Sequence, residues 1–452
     1  MGTETVSRYI TDTTYDKIPP DALASAKQAI LDCLGVTLAG CDDPGSKIVT
    51  EFVREQGGIA EASIVGGRFK APVVEAAWAN GTIAHALDYD DYSTAFMAHP
   101  TVALLPAVLA VAEKSHLSGK DILLSYIVGF EVGAAVAPFC VMQSYLLGWH
   151  STSVMGTIGA VAACAKLMNL SVEQTRMALG IASSMANGMK ENFGTMTKPL
   201  HAGNAARNGV LAAQLSQKGF TAAENILEGQ QGFCKIFAGG AEIDGAKIGE
   251  SIGQQYTIVG GLSMKPYPSC AGTHATIDSA IYLHGQRDIK AEDIEEIEMR
   301  TSPGVASACI HSNPQTGLEG KFSNQYCVAR GLLDGDVGLR HFTDDMVQEP
   351  TVQSLVQKAK YAHTSDMGAS FGSEVLVKFR DGTTISHKVD SPKGFITNPV
   401  TIDDTIIKYK DCASLVLSSE DAQRSLDLIM HLEDLADAGT LMDILAKKSK
   451  LA

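Results

Sequence analysis

Basic side chains are in short supply: 36 Lys and Arg stand against 51 Asp and Glu, for a formal net charge of −15. A surface of that sign repels nucleic-acid phosphates and anionic lipid alike, so neither a nucleic-acid face nor membrane binding is expected. A small anionic substrate is bindable only where a few Lys, Arg or His side chains converge locally. Signature loops are missing as well: there is no GxxxxGK(S/T), no GxGxxG after a predicted strand, no HExxH and no EF-hand loop. Nucleotide chemistry and the common metal motifs lose their footing. The nine cysteines (Cys33, Cys41, Cys140, Cys164, Cys234, Cys270, Cys309, Cys327, Cys412) form no CxxC and no disulfide or zinc framework, which fits a reducing compartment. The opening MGTETVSRYI has neither a signal peptide's apolar region nor a hydroxyl at the sixth position of a myristoylation signal, where Val6 stands. The apolar run Val102 to Ala112 is broken by Pro106 and too short to span a bilayer, so a cytoplasmic protein is expected.

What is present is a long chain of 452 residues, 45% apolar, which exceeds one comfortable core and predicts two or more domains. Asp21 to Ala39 places Leu23, Ala26, Ile30, Leu34 and Leu38 at helical spacing after Pro19 and Pro20. Further helices are expected at Pro72 to Leu87, Val102 to Glu113, Asp121 to Ala137, Val154 to Leu167, and Val172 to Ala186 with a Ser171–Gln174 capping box. Their Ala and Gly content suits helices packed backbone to backbone. After Gly260 the pattern changes. Ile294 to Met299 alternates apolar and acidic residues, and Glu374 to Val389 reads as two alternating runs around Asp381–Gly382, a hairpin signal. Beyond Pro399 the periodicity is helical again, over Asp404 to Leu417, Ser419 to Leu432 and Leu435 to Leu445. The fold class expected is therefore mainly α. Residues 1–259 form a helical domain, 260–395 a smaller α+β domain, and 396–452 helices that return to the first.

One catalytic pattern matches by spelling, the GxSxG of Gly368 to Gly372, but a nucleophile elbow needs a strand before it, and here the strand follows. The histidines say more. His99 follows LDYDDYSTAFMA with His85 just upstream, His150 sits in LLGWHSTS, Lys198 and His201 in TMTKPLHAGNAARNG, and His274 closes KPYPSCAGTH. Each cluster lies at the boundary of a small-residue helix. A bland account exists for each: a histidine near a helix end commonly packs or caps, an acidic run is commonly a solvated turn, and Lys198 reads equally as a surface lysine. His85, three residues before Asp88 on one helix face, reads as packed rather than catalytic.

Taken in order, NGTIAHALDYDD, HPTVALLPAVLAVAE, GWHSTSVMGTIGA, TKPLHAGNAARNG, KPYPSCAGTH, TGLEGKFS, the DG hairpin and NPVT resemble the MmgE/PrpD family over nearly the whole chain. That family holds 2-methylcitrate dehydratases, cis-aconitate decarboxylases and iminodisuccinate epimerases. The resemblance implies a large helical domain built from both chain ends, a smaller α+β lid domain, and a homodimer with no metal, iron–sulfur cluster or organic cofactor. By motif position it marks Asp88, His99, His150, Lys198 and His274 as site residues. Decarboxylase-like members often carry a small hydroxyl residue after the DD pair; Tyr92 stands there instead and would reach in from farther away.

These residue types suit proton transfer beside a carboxylate. Lys198 would anchor a di- or tricarboxylate in place of water, with His201 and Tyr92 as further substrate contacts. Imidazole titrates near neutrality, so His99 and His150 form the expected acid/base pair, with Asp88 orienting and His274 completing the site. Dehydration, decarboxylation and epimerisation all run through a carbanion or enolate beside a carboxylate. Dehydration is placed first on breadth of family usage, with the other two as alternatives. A non-catalytic small-acid binding protein on the same fold, and a metal-dependent hydratase using the Asp and His groups as ligands, are the rival classes.

Overall fold

A computed structural model of the chain describes residues 2–363 and 371–447. The chain divides into two compact units, Met1–Asn192 with Met196–Met264 and Thr401–Ala452, and Phe193–Thr195 with Lys265–Val400. The serine of the GxSxG pattern, Ser370, lies outside the described residues, as do Gly368 and Ala369.

The first unit is helical. Its principal helices are α1 (Pro20–Gly40), α2 (Val73–His85), α3 (Thr101–Lys114), α4 (Gly119–Val136), α5 (Ser151–Leu167), α6 (Val172–Ser183) and α7 (Thr197–Gln217). Helices α3 and α5 are buried along nearly their whole length, so their apolar character runs round the cylinder rather than along one stripe. The Ser171–Gln174 capping box opens α6, and a second, Ser118–Asp121, opens α4. α1 and the Gly119–Phe139 stretch are long and apolar enough to cross a membrane, yet 67% and 78% of those windows are buried inside the protein, as core helices are. Counting uninterrupted apolar runs overlooks the second of these, because Ser125 and Glu131 punctuate it.

Helix α7 is the element that sequence periodicity passes over. TKPLHAGNAARNG looks like a polar loop, but it is the start of a 21-residue helix packed against α2, α3, α5 and α6. Its glycines are contact surfaces. A Cβ on Gly81 of α2 would lie 2.9 Å from the Cα of Gly203, and one on Gly203 would run into the Trp78 carbonyl oxygen and the Thr82 hydroxyl. The two helices therefore cross at backbone distance.

In the second unit, α8 (His274–His284) packs with α9 (Asn324–Asp334) and against a four-stranded sheet. The strands are β1 (Ile294–Thr301), β2 (Ala359–His363), β3 (Ser373–Phe379) and β4 (Thr384–Val389), in the order β2-β1-β3-β4, with β1 and β2 parallel and the other pairs antiparallel. The alternation IEEIEM is imperfect, since Ile294 and Ile297 are both buried. A register shift between Ile294 and Glu296 absorbs the extra residue as a bulge. The β3–β4 hairpin turns at Gly382, whose φ of 82° favours glycine. Strand β2 carries no sequence signal of its own; it is held by pairing with β1.

The chain then re-enters the first unit as α10 (Ile402–Ser414), α11 (Ser419–Met430) and α12 (Ala438–Leu445). α10 packs along α1, with Gly35 against Tyr409. Lys408 of α10 donates to Asp32 Oδ1 at 2.7 Å and to the Tyr89 carbonyl at 2.6 Å, tying the C-terminal helices to the loop after α2. Because α2 and α7 cannot approach with a methyl between them, Gly203→Ala is expected to cost about 1–3 kcal/mol of stability in urea unfolding. A loss below about 0.5 kcal/mol would mean the crossing has slack.

Candidate active site

Helix α2 ends at His85, and the chain turns out of it through Asp88, whose φ of 51° is left-handed. His85 and Asp88 therefore do not share a helix face, and the partner of His85 is Asp90, not Asp88. The loop is fixed on both sides: Tyr92 and Ser263 exchange backbone hydrogen bonds at 2.8 and 2.7 Å, and Ser93 pairs with Ala98. His99 then precedes α3, and its backbone N–H donates to the Thr152 hydroxyl of α5 at 3.2 Å.

Three helix ends converge with this loop. His150 is the residue before α5, its N–H bonded to the Gly188 carbonyl at 2.9 Å. Lys198 and His201 lie three apart at the start of α7, which puts them on one face. Lys198 Nζ donates to Asp88 Oδ1 at 2.7 Å, and the same oxygen is 3.9 Å from His99 Nε2. His85 Nδ1 is 2.8 Å from Asp90 Oδ1, and His99 Nδ1 is 2.8 Å from the Asp91 carbonyl and 3.0 Å from Asp90 Oδ2. His150 Nδ1 and His201 Nδ1 meet at 2.9 Å. The His85 ring stands 4.6 Å from that of His99 and 6.1 Å from that of His150, and the Tyr92 ring lies edge-on to His99 at 5.8 Å. Asp88, His99, His150, Lys198, His201 and Tyr92 are thus brought together in the first unit.

The contacts settle protonation in part. A carbonyl and a carboxylate can only accept, so His99 and His85 both carry hydrogen on Nδ1. Two Nδ1 atoms at 2.9 Å share one proton, so His150 or His201 offers a lone pair there. Burial, then Lys198 and His201, push His150 well below the ordinary histidine range. Burial, His85 and Lys198 bring His201 down to about 4. Burial opposes charge on Asp90, yet attraction to His85 and His99 and their hydrogen bonds hold its carboxyl well below the usual range. Asp91 goes the other way. It accepts from the Thr101 hydroxyl, which in turn accepts from Tyr126 at 2.6 Å, but burial and the nearby Asp90 and Asp32 raise it to about 8.

His85, Asp88, Asp90 and His99 offer ligand atoms within 4.8 Å of one another, a spacing a metal ion can use. The donor set does not fit one. Asp90 accepts the His85 Nδ1–H and has the His99 ring 3.0 Å from its other oxygen, and the Lys198 ammonium already occupies Asp88, so a cation there would meet a cation.

Residues 4–246 match the MmgE/PrpD N-terminal domain and residues 267–434 the MmgE/PrpD C-terminal domain. The chain belongs to the MmgE/PrpD family. Among its relatives, a cis-aconitate decarboxylase of Mus musculus is 30% identical over 98% of this chain and 93% of its own. A cis-aconitate decarboxylase-like protein, oryM, of Aspergillus oryzae is 29% identical over 98% of this chain and 97% of its own. The mitochondrial 2-methylcitrate dehydratase of Yarrowia lipolytica is 25% identical over 87% of this chain and 80% of its own.

In this MmgE/PrpD chain His274 belongs to the second unit, as the first residue of α8, with Nε2 3.3 Å from the Ser269 carbonyl and its ring flanked by Tyr267 and Phe395. The same KPYPSCAGTH segment holds Lys265, a buried lysine that motif reading left aside. Also left aside were Asp90, the hub of two imidazoles, and the Thr101–Tyr126 pair behind Asp91. For Asp90 a signal existed in LDYDD, but spacing alone does not say which aspartate faces which ring.

A carboxyl raised on folding favours the native state at low pH. The contribution of Asp91 is complete below its unfolded value of about 4 and is lost as pH rises through about 8. Asp91→Asn is expected to flatten that part of the decline in Tm between those pH values. A slope equal to that of the unsubstituted protein in scanning fluorimetry would place the titration elsewhere.

Proposed function

We propose that this chain, a lyase of the MmgE/PrpD family, decarboxylates cis-aconitate or a close tricarboxylate analogue without a metal or organic cofactor. The observation that carries the reading is the Lys198–Asp88–His99 cluster with His150 and His201 beside it. It is a buried cationic and imidazole lining inside a strongly acidic protein. The weight of the relatives favours decarboxylation over dehydration, with 29–30% identity over 98% of the chain against 25% over 87%.

In this reaction the bond from a CH2 carbon to its carboxylate breaks and CO2 leaves. The electron pair forms a new double bond to the central carbon, the old double bond's pair takes a proton at the far carbon, and a methylidene dicarboxylate results. Lys198 would hold a substrate carboxylate; an ammonium has three N–H donors, so it need not release Asp88 to do so. Preorganised cationic donors stabilise the developing charge more than the ground state, which is where rate is gained. His99 and His150 are the acid/base pair of this proposal, and His201 and Tyr92 contact substrate. Dehydration of a 2-methylcitrate-like acid, with proton removal beside a carboxylate by the same imidazoles, is the second reading, favoured by the Yarrowia lipolytica relative.

We further infer a cytoplasmic homodimer. Nine free cysteines support the compartment, and exposed apolar side chains such as Ile48 (61%), Phe52 (48%) and Leu146 (69%) support an apolar interface. Light scattering at micromolar protein is expected to give twice the chain mass.

The substrate test is a panel of cis-aconitate, citrate, 2-methylcitrate and iminodisuccinate followed by NMR in deuterated water, with and without exhaustive chelation. CO2 release from cis-aconitate with deuterium in the product, unchanged by chelator, is the expected result; silence across the panel defeats the enzyme reading. Variants then separate the roles. Lys198→Met should chiefly raise KM, with kcat/KM falling about 30-fold to several thousand-fold, and His150→Gln should lower kcat by about 100- to 10,000-fold. A folded His150→Gln protein with normal kcat would remove His150 from the pair.

A further inference from the structure

Asp90 is fully buried, and so is the side chain of His85 that faces it. Its two oxygens meet two imidazoles, His85 Nδ1 at 2.8 Å and His99 Nδ1 at 3.0 Å, and among the described residues it meets no lysine or arginine. Asp88 differs, since Lys198 neutralises it at 2.7 Å. A carboxylate buried between two neutral rings would be an unmatched charge, which is costly enough that such a group is normally paired. One extra proton on the two rings makes the array of His85, Asp90 and His99 neutral. The rings are 4.6 Å apart and both bear hydrogen on Nδ1, so the extra proton sits on an Nε2. Of those two atoms, His99 Nε2 lies 3.9 Å from Asp88, on a side chain 11% exposed, whereas the His85 side chain is inaccessible and its Nε2 has no partner among the described residues.

We propose that Asp90 is the positioning carboxylate that keeps a transferable proton on the His85–His99 pair, and that His99 passes it through Nε2 to the substrate carbon. This rests on the decarboxylation reading above. In that step the Nε2–H bond of His99 breaks, a C–H bond forms at the former alkene carbon, CO2 departs with neither oxidation nor reduction of the protein, and solvent restores the proton. Among the described residues, the charged and titratable groups near His99 include Asp88, Asp90 and Tyr92 from its own loop, His85 from α2 and His150 at the start of α5. Lys198 from α7 reaches it through Asp88, and the Thr152 hydroxyl of α5 binds its backbone. Asp90 is the one among them whose negative charge is answered only by imidazole.

The test is the kcat–pH profile of CO2 release for the unsubstituted protein, Asp90→Asn and Asp90→Glu. Removing the charge should lower kcat at neutral pH by about 100- to 10,000-fold with little change in KM, and move the alkaline limb to lower pH, because the acid then loses its proton sooner. Asp90→Glu should restore part of the rate and of the limb. A merely structural role would depress activity uniformly and leave the limb in place, and that result overturns the proposal. Imidazole 15N titration of the unsubstituted, histidine-labelled protein covers the case in which Asp90→Asn does not fold. At the pH of assay His85 and His99 should together carry one proton more than two neutral rings, and two neutral rings overturn the idea. That titration needs no substrate, so an inactive protein with a proton on the pair would discard the decarboxylation reading while leaving the array standing.

Discussion

The crossing of α2 and α7 at Gly81 and Gly203 sets the distances on which everything else relies. Gly81 is four residues before His85, and Gly203 is five after Lys198, so the point of backbone contact lies about a turn and a half from each chemical group at most. A methyl inserted there moves one helix against the other. The Lys198–Asp88 contact of 2.7 Å and the spacing of His85 from the other rings move with it. Small residues in these helices are thus a requirement of the site as much as of the core, which is why α3, α5 and α7 could afford to bury so many polar side chains near one point.

Burying those groups is tolerable because their charges are answered locally. An isolated ion loses several kcal/mol on leaving water, and breaking a buried pair leaves the remaining partner stranded. Here Lys198 faces Asp88, two imidazoles face Asp90, and Asp91, bonded by the hydroxyl and backbone N–H of Thr101, is shifted toward its neutral form. Neighbouring aspartates three residues apart at most therefore live in three electrostatic states, set by a lysine, by histidines and by a threonine–tyrosine pair. The net charge of −15 is a property of the whole chain, and it coexists with a local cluster of lysine and imidazole nitrogens.

Such a cluster is well suited to a carboxylate-rich substrate and indifferent to several fates of the carbon beside it. Loss of CO2 and loss of water both need stabilised charge on neighbouring carboxylates and a proton delivered or taken. What distinguishes them is where the proton-bearing ring stands relative to the reacting carbon. His150 and His201, held in their neutral forms by burial and by Lys198, resist taking up a proton and serve as neutral hydrogen-bonding rings. His99 stands instead beside two carboxylates, Asp88 and Asp90.

Composition and periodicity sufficed for the mainly α class, for α1 to α6 within a few residues, for the Ser171 cap and for the hairpin at Gly382, because these depend on local spacing, on capping chemistry and on a positive φ that only the sequence neighbourhood must satisfy. The order of the histidine clusters carried the family. Helix α7 was hidden because its polar face serves the site and its glycines serve a neighbour, so its hydrophobic pattern is incomplete without that neighbour. Strand β2 exists by pairing with β1, a partner about 60 residues away in the chain. The assignment of Asp90 to His85 and His99, and of Asp88 to Lys198, was decided by the tertiary structure alone. The left-handed turn at Asp88 rotates adjacent aspartates toward different partners, and no one-dimensional spacing encodes which ring or ammonium each will meet.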